Sequence, residues 1–162
     1  KVAKIKPEDI DLNLKVEDKN LNDTFYLGSK IYGNTKLSII KTSILDKYEF
    51  TYDKCDNETC IPITDVEFPD NNLANSLLVL NYNITADNNN GLNDANMTNI
   101  LTKLIKLKYK QNDEYQEEAI VSKTNSNLDN TLFIDIPKYI VSSNEIYLVI
   151  SSRENSYQIK IK

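Results

Sequence analysis

The chain has 162 residues, two cysteines, no histidine and a net charge of −5, with 40 % apolar and 27 % charged residues. That length suits one hydrophobic core. A negative chain with a single arginine, Arg153, lacks the electrostatics for nucleic acid or anionic membranes and the side-chain forks that clamp phosphate. Without histidine the commonest general base and metal ligand are excluded, and no apolar run reaches the roughly 18 residues a spanning helix needs.

Residues 1–22 are charged and aperiodic, with Pro7 and scattered Ile5, Ile10, Leu12 and Leu14. They read as a linker or stalk, with room for one edge strand at Leu12–Val16. A chain opening at Lys1 raises the expectation of a cleaved signal sequence or a membrane anchor upstream. Residues 23–162 then form a single β-sandwich domain. Glycines number three and prolines four, so turns must rely on Asn and Asp.

Phe25-Tyr26-Leu27 leads into Gly28, and Tyr32-Gly33-Asn34 turns into a strand over Lys36–Ile44. Its inward phase slips by one residue between Leu37/Ile39 and Ile40/Ile44, which predicts a bulge near Ile39-Ile40. Next come Tyr48–Tyr52 and Ile61–Thr64 around Cys55-Asp56-Asn57-Glu58-Thr59-Cys60. Placing Cys55 opposite Cys60 puts Tyr52 opposite Ile63, because paired numbers keep one sum. Tyr48, Phe50, Tyr52, Ile61 and Ile63 then share a face, and a Cys55–Cys60 disulfide projects from the other, toward solvent. Such a disulfide places the chain outside the reducing cytosol. A redox role is disfavoured, since the spacing is wrong and Asp56 and Glu58 would raise a thiol pKa.

Leu77–Ile84 is apolar on both faces at first and then alternates, as a central strand does. The loop Asp87–Asp94 follows. Its carboxylates and amides suggest a loose calcium site at Asp87, Asn89 and Asp94, although an EF-hand fails because Ala86 and Met97 fall on its charged ligand positions. Met97, Ile100, Leu101 and Leu104 have helical spacing and predict a short helix crossing between sheets. Leu104–Tyr109 and Tyr115–Val121 form a hairpin, Leu132–Ile136 is a strand ended by Pro137, and Ile146–Ile150 pairs with Tyr157–Ile161.

Lys106, Lys108 and Lys110 project from one strand face, with Glu117 and Glu118 opposite, and read as gatekeepers against edge pairing rather than as an anion site. Asp113, Glu114, Glu117 and Glu118 crowd a hairpin turn, where nothing desolvates them as paired catalytic carboxyls require. Of the ten tyrosines, Tyr48, Tyr52, Tyr82, Tyr109 and Tyr157 fall on inward phases, and Tyr26, Tyr32, Tyr139 and Tyr147 remain for a sugar-stacking platform. These patterns predict a mainly all-β fold, an immunoglobulin-like antiparallel β-sandwich with one short crossover helix, and a closed barrel stays open as the alternative.

Leu27-Gly28, Tyr32-Gly33-Asn34 before a long strand, the close-spaced cysteine hairpin and the terminal Ile146–Lys162 hairpin carry a resemblance over roughly Thr24 to Lys162. The chain resembles uncharacterised immunoglobulin-like extracellular domains, found behind a lipoprotein signal or single membrane anchor in low-GC Gram-positive bacteria. The resemblance implies a fold and a surface location, and no catalytic residues. The expectation is a non-enzymatic, monomeric extracellular module without a cofactor. It would present loops or an edge strand to an unknown protein partner, touching the membrane only through an N-terminal anchor and nucleic acid not at all. A module binding surface glycan or calcium is the alternative.

Overall fold

The computed structural model describes residues 15–27, 35–86, 99, 101–152 and 155–162. Twelve strands are described: β1 Val16–Lys19, β2 Phe25–Tyr26, β3 Thr35–Leu45, β4 Tyr48–Cys55, β5 Cys60–Glu67, β6 Asn75–Ala86, β7 Ile105–Gln111, β8 Glu114–Ala119, β9 Val121–Lys123, β10 Thr131–Pro137, β11 Ile146–Ser151 and β12 Ser156–Lys160. A front sheet has the order β1-β12-β11-β7-β8 and a back sheet the order β2-β3-β6-β10-β9, while β4-β5 is a two-stranded sheet of its own. All described pairings are antiparallel except β1 with β12, which is parallel.

The two large sheets bury one continuous core. Leu37, Ile39, Leu78, Leu80 and Ile134 come from the back sheet, and Leu107, Ile146, Leu148, Ile150 and Ile159 from the front. Each buried aliphatic of this kind contributes roughly 1.5–3 kcal/mol by leaving water. Phe25 stacks on Tyr157 with ring centroids 5.2 Å apart, and the Tyr157 hydroxyl donates to the Tyr26 carbonyl at 2.7 Å, joining β2 to β12 across the sandwich.

The phase slip in β3 is a bulge. Ile39 pairs with Tyr82 and Lys41 with Asn81, leaving Ile40 as the extra residue, 43 % exposed. The bulge lets Leu37 and Ile39 on one side of it, and Ile44 on the other, all point inward.

The two-faced apolar run of β6 also has a structural outcome. Leu78 and Leu80 enter the main core, while Leu77 and Val79 join Phe133 of β10 in a second cluster on the outer face of the back sheet. Tyr48 covers that cluster, its ring 5.6 Å from Phe133. The β4-β5 hairpin is thus a partial third layer. Tyr48 and Tyr52, expected in the core, lie instead on this outer layer and are half-buried, whereas Tyr82, Tyr109 and Tyr157 are buried as expected.

Other elements differ from the expectation in specific ways. The edge strand allowed for at Leu12–Val16 is found at Val16–Lys19, where it pairs with β12, so sheet structure begins before residue 23. The run Tyr115–Val121 breaks at Ile120, β8 staying on the front sheet and β9 passing to the back. Helix is found at Asn99 and 101–104, leading from back-sheet β6 to front-sheet β7 as expected. A second short helix, Lys138–Val141, follows β10 directly. Asn112 and Asp113 take φ of 51° and 64° between β7 and β8, the two left-handed positions of a type I′ turn, filled without glycine.

Candidate functional site

Among the described residues two surfaces bring chemistry-bearing side chains together, and the first is the β4-β5 hairpin. Cys55 faces Cys60 and Tyr52 faces Ile63. The cysteine sulfurs are at bonding distance, with Cα atoms 4.0 Å apart. Asp56 holds the tip: its N–H donates to the Thr59 carbonyl at 3.0 Å, and its carboxylate accepts from the Thr59 N–H at 3.0 Å. Thr51 and Thr64 hydroxyls meet across the strands at 3.2 Å. Tyr48, Phe50 and Tyr52 form a ladder with 6.0 Å between successive rings on the inward side. Ile61, further out on that side, is 57 % exposed.

The base of β5 is fastened to the back sheet. Lys123 Nζ donates to the Phe68 carbonyl at 2.6 Å and pairs with Glu67 at 3.4 Å, and Asn125 Nδ2 donates to Glu67 at 2.8 Å. Between Asp46 and Glu67 stand seven carboxylates against two lysines, Lys47 and Lys54. That segment therefore carries −5, the net charge of the whole chain, and the remainder is neutral. A field that concentrated attracts cations over about a Debye length.

The second surface is the open face of the front sheet. Tyr115 and Tyr147 meet edge to face at 6.3 Å, and both hydroxyls donate to Glu145 Oε1, at 2.9 and 2.5 Å. Lys108 Nζ lies over both rings, 4.7 Å from Tyr115 and 5.6 Å from Tyr147. The two phenol donors hold the Glu145 carboxyl below its ordinary range, Tyr147 before Tyr115, and the same bond pushes Tyr147 up to about 12. Beside them Lys110, Asn112, Asp113, Asn144 and Glu145 line a shallow cleft of about 230 Å³.

The sequence-predicted residues fall out as follows. Cys55 and Cys60 are paired. Asp87, Asn89 and Asp94, the calcium candidates, and Tyr32 lie outside the described residues, among which no cluster of three potential metal-ligating side chains occurs. Glu117 sits opposite Lys108 on the open face, but Glu118 points the other way. There it accepts from the Tyr109 hydroxyl at 3.0 Å and the Tyr139 hydroxyl at 2.6 Å, which pushes Tyr139 up to about 12. The lysines of β7 do not guard an edge, because β8 lies outside β7 in the sheet. Glu145 and its partner Tyr115 went unremarked in the sequence. They are 30 positions apart, and only the sheet order brings them together.

No family model matches the chain, and no curated protein matches it. Among solved structures, an uncharacterised β-sandwich protein from Clostridium difficile 630 is similar, with a TM-score of 0.52 and 13 % identity, covering 93 % of this chain and 97 % of that one. At such identity the likeness concerns fold alone. The fold is a β-sandwich.

Proposed function

We propose that the chain is a non-enzymatic, extracellular, immunoglobulin-like module, tethered through its N-terminal side, that engages a protein partner with the β4-β5 hairpin. The observation that carries the reading is the hairpin itself, an acidic two-stranded sheet with a disulfide-closed tip, standing on the back sheet rather than within it. An isolated two-stranded sheet is marginal in water, so a cross-link at its tip, beyond the Tyr48 end that packs on the back sheet, preserves the shape of the exposed part. The extracellular part of the reading draws on the same cysteine pair, since oxidising compartments retain such bonds.

The immunoglobulin-like part draws on strand order. β12-β11-β7-β8 follows the GFCC′ sheet of variable-type domains, and β2, β6, β10 and β9 follow A, B, E and D. The long β3 and the hairpin are then an insertion between A and B. Absence of catalysis draws on the missing histidine and on Glu118 and Glu145, whose carboxylates are engaged by tyrosine hydroxyls.

A photo-crosslinking residue placed at Lys54 on the hairpin, with another at Lys160 on the front sheet as comparison, tests the reading on cell-surface extract. Protein adducts at position 54 alone are expected. Adducts at neither position, or at 160 alone, overturn the reading. A glycan reading is favoured only by the Tyr115–Tyr147 pair beside its polar cleft. A glycan array that responds to wild type and not to Tyr115→Ala would replace the protein partner with a sugar.

A further inference from the structure

The two edges of the hairpin are not equivalent. The bond from the Asp56 amide to the Thr59 carbonyl sets the alternation of the ladder. It makes Cys55/Cys60, Asp53/Pro62, Thr51/Thr64 and Glu49/Val66 the pairs whose backbone groups point outward, and the 4.0 Å Cα separation of the cysteines suits such a pair. On the β5 side two of those outward amides are out of use. Pro62 has none, and the Val66 N–H donates to its neighbour Asp65 at 2.8 Å. On the β4 side Glu49, Thr51, Asp53 and Cys55 all carry N–H and C=O groups that no described residue takes up. Native sheets close such edges with proline, charge or cover, and here the β5 edge loses two of its four outward amides while the β4 edge keeps all four.

We propose that the outer edge of β4 is a strand-addition site for a basic, extended peptide segment of a partner protein, a proposal that rests on the hairpin being the interaction element. Main-chain bonds to Glu49, Thr51 and Asp53 supply the affinity, and side chains set the choice of occupant. Glu49, in an exposed ion pair with Lys47 at 3.2 Å that a bound lysine would compete for, and Asp53 lie on one face of β4, four residues apart, with Phe50 and Tyr52 on the other. A strand laid alongside therefore places its residues opposite these four. The complementary segment reads basic, apolar, any residue, apolar, basic. The −5 of the hairpin disfavours a second copy as occupant, because two such arms edge to edge repel.

The test uses the full chain and two capped heptapeptides, one alternating lysine and valine, the other glutamate and valine, followed by calorimetry and amide exchange. The lysine peptide is expected to bind about tenfold or more tighter than the glutamate peptide, to weaken with salt, and to protect β4 but not β5. Thr51→Pro, which removes one outward amide and no ladder bond, should cost binding about tenfold or more, while Thr51→Ala and Thr64→Pro should leave it within about twofold. The double variant Glu49→Lys, Asp53→Lys should reverse the preference between peptides, and its readout survives if the proline variant fails to fold. Equal binding of the two peptides, no binding of the lysine peptide, or full binding by Thr51→Pro overturns the proposal. So does self-association through β4 without peptide. Crosslinks at Lys54 alongside any of these failures would leave the hairpin as interaction element and remove only the basic strand.

Discussion

Pro62 lies directly across the hairpin from Asp53, at a pair whose backbone groups face away from the ladder. The missing amide of the proline therefore costs the hairpin no internal bond. It interrupts the outer edge of β5 midway between Cys60 and Thr64 while that of β4 stays continuous, so one residue type gives a symmetric motif a direction.

Replacing both cysteines by serine separates the hairpin from the body energetically. Closing so short a loop stabilises by roughly 2 kcal/mol at most, and among the described strands β4 and β5 pair only with each other. Calorimetric melting of the core should shift by a few degrees or less, while amides of residues 48–67 lose exchange protection ahead of those in β6. Loss of β6 protection to the same extent would show that the third layer is part of the core.

Phe133→Ala strikes both layers. Its ring is buried between Leu77 and Val79 and lies under Tyr48. Chemical denaturation should register a loss of about 3–5 kcal/mol. Exchange of the hairpin base at Tyr48 and Glu49 should accelerate beyond what that global loss explains.

The bulge gives a deletion test. Removing Ile40 leaves Leu37, Ile39, Thr42 and Ile44 with their present partners, so the protein should fold, with stability changed by about 1 kcal/mol. Removing Ser38 instead puts Leu37 and Ile39 on opposite faces, and that variant should not reach a cooperative melt.

Glu145 and Tyr147 make stability depend on pH at both extremes. The folded Glu145 carboxyl is held low by Tyr147 and then Tyr115, so its contribution is present above its ordinary value of 4.5 and is lost as pH falls through the lowered value. Tyr147 is pushed up to about 12 by its bond to Glu145, so its contribution is present below 10.0 and is lost as pH rises through about 12. Glu145→Gln should make both arms of the profile of melting temperature against pH shallower, the alkaline arm keeping the part that Tyr139 and Glu118 supply. An unchanged alkaline arm would show that the 2.5 Å bond does not persist in solution.

Much of this fold was legible in the residues because local pairing determines it. Two cysteines and a constant sum gave the register of the β4-β5 ladder, and the slipped phase around Ile39 and Ile40 marked the bulge. What escaped was non-local. Nothing in Val16–Lys19 reveals a parallel partner some 140 residues away, and Ile120 carries no glycine or proline to mark the change of sheet. The third layer had a signal. A strand apolar on both faces, as Leu77–Leu80 is, needs cover on both, and a hairpin with one aromatic side was available to supply it. The candidate edge was readable only once the alternation of hydrogen bonds was fixed, because a proline in a strand does not say which way its absent amide would point.

The parallel pairing of β1 with β12 has a mechanical consequence. Val16 lies beside Ser156 and Lys19 beside Ile159, so the start of one strand and the finish of the other are at opposite ends of the shared ladder. Tension drawn along the polypeptide from these two strands loads their cross-strand bonds together, in shear, instead of peeling them one by one. Pulled in that geometry, the four pairs of the seam share the load and give way together.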